Sequence, residues 1–170
     1  MKILLVSFII IVSGYIGYQY KMKFFKQLKT INDLKEYCIY FKDNLVLFKN
    51  NICEININYI NMHKNKNANN VLFIKNNMCL NQINLKYLQN TIYNHGLYSE
   101  IQTYFLSQGK GEYEHEVFKI NELLDILNRE LICTKDDLKQ KGDLYFKLIL
   151  AIGAVISILI WWCNGCFDFV

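Results

Sequence analysis

The chain has 170 residues, 52% of them apolar, and sets 19 basic side chains against 15 acidic ones for a net charge of +4. That surplus is small and Arg129 is the single arginine, which argues against nucleic-acid binding, since base and phosphate recognition leans on arginine forks and strong basic patches. There is no proline; proline breaks helices and marks turns in β-rich folds, so its absence predicts helices that run on without interruption.

The first segment, Ile3 to Tyr20, carries no charge. A bilayer's hydrocarbon core is roughly 30 Å thick and needs about 20 apolar residues as a helix, so residues 1–20 are predicted to span it. The Met1-Lys2 start resembles a signal peptide, but Tyr15, Ile16 and Tyr18 crowd the region where a small-residue cleavage motif belongs, and the segment is read as an uncleaved anchor. Beyond it, Ile31, Leu34, Cys38, Phe41, Leu45 and Phe48 step by threes and fours, the stripe of an amphipathic helix. Lys29, Asn32, Lys35, Glu36, Lys42 and Asp43 occupy the opposite face. With no breaker after Gly17, the anchor is expected to continue into this helix and stop at Asn50-Asn51.

Ile52 to His63 fits two patterns. Ile55, Ile57 and Tyr59 alternate like a strand, while Ile52, Ile55, Tyr59 and Met62 fit a helix; an isolated strand would lack a partner, which favours the helix. His63 to Asn70 reads as a loop. Val71 to Lys75 and Leu80 to Asn94 read as short helices, the second with Ile83, Tyr87 or Leu88, and Thr91 on one face. Asn94-His95-Gly96 reads as a helix end, and Leu97 to Leu106 as a further helix. Gly109-Lys110-Gly111 is the clearest break. It lacks the spacing of a phosphate-binding loop and follows no strand, so it is read as a turn. Glu112, Glu114 and Glu116 then load the start of a new helix, where acid complements the helix dipole. Val117, Ile120, Leu124, Leu127 and Leu131 form its apolar stripe, and Asp125 and Arg129 pair on its polar side. This helix is expected to run through Lys139 into the second apolar segment, Leu144 to Cys163, with Gly142 as a flexible point.

The predicted fold is all-α: a membrane-anchored helical bundle with a transmembrane helix at each end (1–20 and 144–163), a helical domain over 21–143 and a short tail over 164–170. Lys21, Lys23, Lys26 and Lys29 flank the inner end of the first anchor, and Lys135, Lys139 and Lys141 that of the second. The tail has no basic residue. Cytoplasmic flanks carry the excess of lysine and arginine, so the central domain is expected in the cytoplasm and both termini outside. Trp161 and Trp162, and Tyr15, Tyr18 and Tyr20, suit the aromatic belts of such spans.

Catalytic chemistry finds little support. His63, His95 and His115 are far apart; the glutamates around His115 read as a solvated acidic helix start rather than a metal site. Cys38 falls on an apolar stripe and reads as core. Cys163 and Cys166 form a lone C-x-x-C without the two further ligands of a zinc site or the βαβ context of a redox motif. No nucleophile and base pair stands out, so no catalytic, cofactor-binding or metal residue is assigned. Glu112, Glu114 and Glu116 are the candidate partner contact, as an exposed acidic cluster suited to a basic surface.

Two segments resemble the stage III sporulation protein AB family of endospore-forming bacteria. In the last third, Lys139, Lys141, Leu144, Tyr145, Leu148 and Gly153 match that family's lysine-rich helix end and following apolar segment, with Ile149 where another glycine is usual. Leu106 to Glu112, ending at Ile120, looks like its Leu-Gly turn and polar helix start, with Ser107 in place of the usual glycine. Gly14, Gly17 and Tyr18 before a basic amphipathic helix are also similar; Ile52 to Tyr104 matches poorly. The resemblance implies a component of the mother cell–forespore channel, a secretion-like complex. It further implies a soluble domain similar to the cytoplasmic domains of type II secretion platform proteins, other stage III sporulation membrane proteins as partners, and an AA-type ATPase as a cytoplasmic one. Location in the mother-cell membrane around the forespore follows from the same source. The competing expectations are a general two-anchor envelope or division protein and a small membrane enzyme using Cys163 and Cys166.

Overall fold

The computed structural model describes residues 2–48, 51–63 and 85–165. Along the chain run α1 (Lys2–Phe48), α2 (Ile52–His63), α3 (Leu85–Thr91), α4 (His95–Ser107), α5 (Tyr113–Asp137), a π-helical turn (Leu138–Gly142) and α6 (Asp143–Gly165). Every element among the described residues is helical. Two compact units share this chain: Met1–Phe25 with Thr134–Val170, and Lys26–Cys133. The expected domain of 21–143 thus encloses the second unit and reaches past both of its edges.

In the Lys26–Cys133 unit, the stripe read from the sequence is the core. Ile31, Leu34, Cys38 and Phe41 are fully buried, and Leu45 nearly so; Phe48 closes α1. Ile55 of α2, Leu88 of α3, Ile101 of α4, and Ile120 and Leu127 of α5 are also fully buried and belong to the same apolar cluster. Burial of each such side chain is worth about 1.5–3 kcal/mol. The ambiguous stretch from Ile52 is a helix because its apolar residues pay off at helical spacing: Ile55 and Tyr59 are buried four apart, while Ile57, needed for a strand face, is 46% exposed. Asn51 starts it, its side-chain oxygen accepting the Cys53 N–H at 3.1 Å, as helix-starting asparagines do.

Asn94-His95-Gly96 begins a helix instead of ending one. Asn94 has extended backbone, and its side-chain oxygen accepts the N–H groups of Gly96 and Leu97 at 3.0 and 3.3 Å. Asn-x-Gly chemistry serves either helix end, and the asparagine side chain settled this one. His63, expected to open the loop of His63–Asn70, is instead the last residue of α2; the remainder of that loop, the helix of Val71–Lys75 and the first part of Leu80–Asn94 lie outside the described residues, and the rest of that last segment is helical over Leu85–Thr91, with Leu88 in the core.

In the other unit, α1 and α6 pair with their contacts in opposite order, so they are antiparallel. Ser13 meets Gly153, Gly14 meets Leu150 and Gly17 meets Phe146. Tyr20 then packs against Tyr145 with tilted rings whose centroids are 4.9 Å apart, and Lys21 pairs with Asp143 at 2.6 Å. Small residues on both helices allow this approach, as in pairs that pack without a hydrophobic drive between them. The outer faces are apolar and exposed: Leu4, Phe8, Ile11 and Tyr15 on α1, and Leu148, Ile152, Val155 and Leu159 on α6. Both helices contain a stretch long and apolar enough to cross a membrane. Continuity from α5 into α6 holds as expected, with the π-helical turn ending at Gly142, which is buried.

Candidate functional site

The turn before α5 is built by Gly109 and Glu116. Gly109 has a φ of 80°, a left-handed conformation that side-chain-bearing residues avoid, and a Cβ there would come 2.9 Å from the Ile52 side chain. Lys110 donates its N–H to the Ser107 carbonyl at 3.2 Å. From the other side, Glu116 reaches back across the first turn of α5, where its carboxylate accepts the Gly111 N–H at 3.3 Å and stands 3.8 Å from the Lys119 ammonium. This satisfies a backbone donor of the turn just before the helix and sets negative charge at the positive helix end.

Glu116 is therefore not part of an exposed acidic cluster: it is 3% exposed, and its second carboxylate oxygen is buried with no partner among the described residues. Glu112 and Glu114 are exposed, with Tyr113 and His115 beside them. Helical spacing explains the split. Glu112 and Glu114 precede or open the first turn, whereas Glu116 falls four before Ile120 on the buried stripe.

A second polar feature escaped the sequence reading. The Tyr37 hydroxyl donates to the Asn56 side chain at 2.7 Å and accepts from Gln108 at 3.5 Å, tying α1 and α2 to the residue that ends α4. Around it Tyr37, Tyr59 and Phe105 pack with ring centroids 5.2–5.9 Å apart, and Tyr59 stacks on His63 at 4.2 Å. Burial pushes the Tyr37, Tyr59 and Tyr104 hydroxyls and the Cys38 thiol well above their ordinary range, so these groups stay neutral. Asp33, on α1 beside Lys29, Glu36 and His63, is 7% exposed, and burial raises its carboxyl to about 6. The signal available in the sequence was the spacing of Asp33 and Tyr37 one step from Leu34 and Cys38, which widens the buried stripe.

No three of His, Cys, Asp and Glu gather around one point among the described residues. His63 ends α2, its ring nitrogen 3.0 Å from the Tyr59 carbonyl; His95 opens α4, and His115 lies exposed on α5. Cys166 lies outside the described residues, so the Cys163–Cys166 pair does too. The geometry combines buried tyrosine hydroxyls that stay neutral with two buried carboxyl groups, Asp33 and Glu116. Compared with models of protein families, with curated proteins and with solved structures, the chain matches none of them.

Proposed function

We propose that the chain is a non-catalytic membrane scaffold: a helical bundle held in the cytoplasm by a transmembrane helix at each end, with its exposed acidic surface available to a partner protein. The antiparallel pairing of α1 and α6 carries this reading. Antiparallel spans return the chain to the side it left, so the stretch between them lies on one side and both termini on the other. The lysines beside Lys21 and Asp143 then set the side, because lysine-rich flanks stay in the cytoplasm. Lys21 and Lys141 are each paired with an aspartate, leaving Lys23 and Lys139 as further cationic charge at that level.

The resemblance to stage III sporulation protein AB supplies the specific form of the proposal. The scaffold would sit in the mother-cell membrane around the forespore, as part of the secretion-like channel, and contact an AA-type ATPase through Glu112 and Glu114. A photo-crosslinking residue at position 114 in sporulating cells tests this. The proposal expects a crosslink to the ATPase, identified by its loss in an ATPase-deletion strain, that weakens when Glu112→Lys is added. Normal spore formation in cells lacking this chain would overturn it.

A further inference from the structure

Ser99, Glu100, Thr103, Tyr104 and Ser107 of α4 line a groove with Lys119, Glu122, Leu123 and Ile126 of α5, enclosing a volume of about 340 Å³. Its floor is apolar: Tyr104 and Leu123 are buried, and Ile126 is half-buried. Its rim is acidic, because Glu100 and Glu122 are exposed. The one cation, Lys119, stands 3.8 Å from buried Glu116, so its charge is already answered and the rim keeps the net negative sign. Ser99 and Thr103 are exposed along α4 one turn apart, offering hydroxyls to a polar backbone laid beside them. The Ser107 hydroxyl is spent on the Tyr104 carbonyl at 3.0 Å.

We propose that this groove docks a basic amphipathic segment of a partner protein, one apolar side chain seated over Tyr104, Leu123 and Ile126 and flanking lysine or arginine meeting Glu100 and Glu122. Charge complementarity selects that occupant over an acidic peptide or an anionic headgroup, both of which the two glutamates repel. A volume of this size accepts one or two large apolar side chains, and an amphipathic helix in a groove presents such anchors one turn apart. The proposal rests on the scaffold reading, since it names a partner surface for that role, and it adds the α4–α5 groove to the contact proposed at the start of α5.

The full chain in phosphatidylcholine nanodiscs, titrated with a fluorescent leucine–lysine amphipathic peptide and with its leucine–glutamate counterpart, tests it by anisotropy. The lysine peptide should bind at least tenfold more tightly. Thr103→Trp, which fills the groove from an exposed position, should abolish that binding, and Glu100→Gln with Glu122→Gln should weaken it about tenfold and flatten its salt dependence. Circular dichroism melting of each variant should match the parent. Equal binding of the two peptides overturns the proposal, and so does binding that survives Thr103→Trp. Binding that is lost instead in Glu112→Gln with Glu114→Gln rejects the groove and leaves the scaffold reading in place, with its contact at the start of α5.

Discussion

The Ser13 side chain occupies the space that a side chain on Gly153 would need: a Cβ at 153 would lie 2.7 Å from the Ser13 Cβ and closer still to its hydroxyl. The Ser13 hydroxyl donates to the Ile9 carbonyl at 2.6 Å, so no polar group of this contact is left bare. One helical turn beyond Gly153, the Ser157 hydroxyl donates to the Gly153 carbonyl at 2.8 Å. Both serines serve their own helix, and at this point the approach of α1 and α6 rests on size.

Gly153→Ala should therefore loosen the α1–α6 pair by about 1–3 kcal/mol, the usual cost of overpacking. Ser13→Gly should restore most of it when combined with Gly153→Ala, because it removes the atoms that clash. Thermal unfolding in detergent, followed by circular dichroism for the four members of the cycle, measures the coupling. Additive losses would show that the two positions do not share one contact.

Asp33 gives the Lys26–Cys133 unit a pH dependence of defined sign. Its carboxyl is raised from 3.8 to about 6 by burial, so the folded state binds this proton more tightly than the unfolded chain. Stability from this group is present in full below pH about 4 and is lost as pH rises through about 6. The upper bound is about 3 kcal/mol, reduced by whatever hydration the carboxylate keeps. Asp33→Asn should remove the fall in melting temperature between about pH 4 and 6.5. An unchanged pH profile in that variant would contradict the assignment.

Asp143 works in the opposite direction. Lys21 holds its carboxyl below the usual carboxylate range, so the pair stabilises the folded chain at neutral pH and the contribution disappears on acidification below about pH 4. Both partners are nearly half exposed, so Asp143→Asn should shift melting only slightly at pH 7, and that shift should shrink on acidification.

Leu127 is fully buried on α5. Leu127→Ala should cost about 2–5 kcal/mol, and Leu127→Asp more, because it adds an unpaired buried charge. Urea unfolding of the full chain in detergent reads both, with Phe118→Ala as the control: Phe118 is 64% exposed on the same helix and should change stability by no more than about 0.5 kcal/mol.

Much of this fold was legible in advance because helical periodicity is a strong signal over long segments. The stripe from Ile31 to Leu45 and the one from Ile120 to Leu127 are the core, and the fusion of each long helix to an apolar segment followed from the lack of breakers. Short segments were harder. Asn94-His95-Gly96 carries residues used at both helix ends, and the choice depended on which neighbour the asparagine side chain could reach. The acidic cluster failed differently. Glu112, Glu114 and Glu116 look alike as a run of charge, but the 3.6-residue repeat turns Glu116 inward while its neighbours stay in solvent. Ser13 against Gly153 was hidden because the contact joins residues 140 positions apart, and only the folded chain shows that two small residues meet.

The central claim, that the stretch between two antiparallel spans faces the cytoplasm, is tested most directly by labelling single-cysteine variants with a membrane-impermeant maleimide. Cys133 is exposed and Cys38 is buried among the described residues, so Cys133 is the reporter for the central unit and Cys38 the control for unfolding. Cys166, beyond the second span in sequence, reports the opposite side. In intact cells Cys166 should label and Cys133 should not; after permeabilisation Cys133 should label while Cys38 stays protected. Labelling of Cys133 in intact cells would contradict the account.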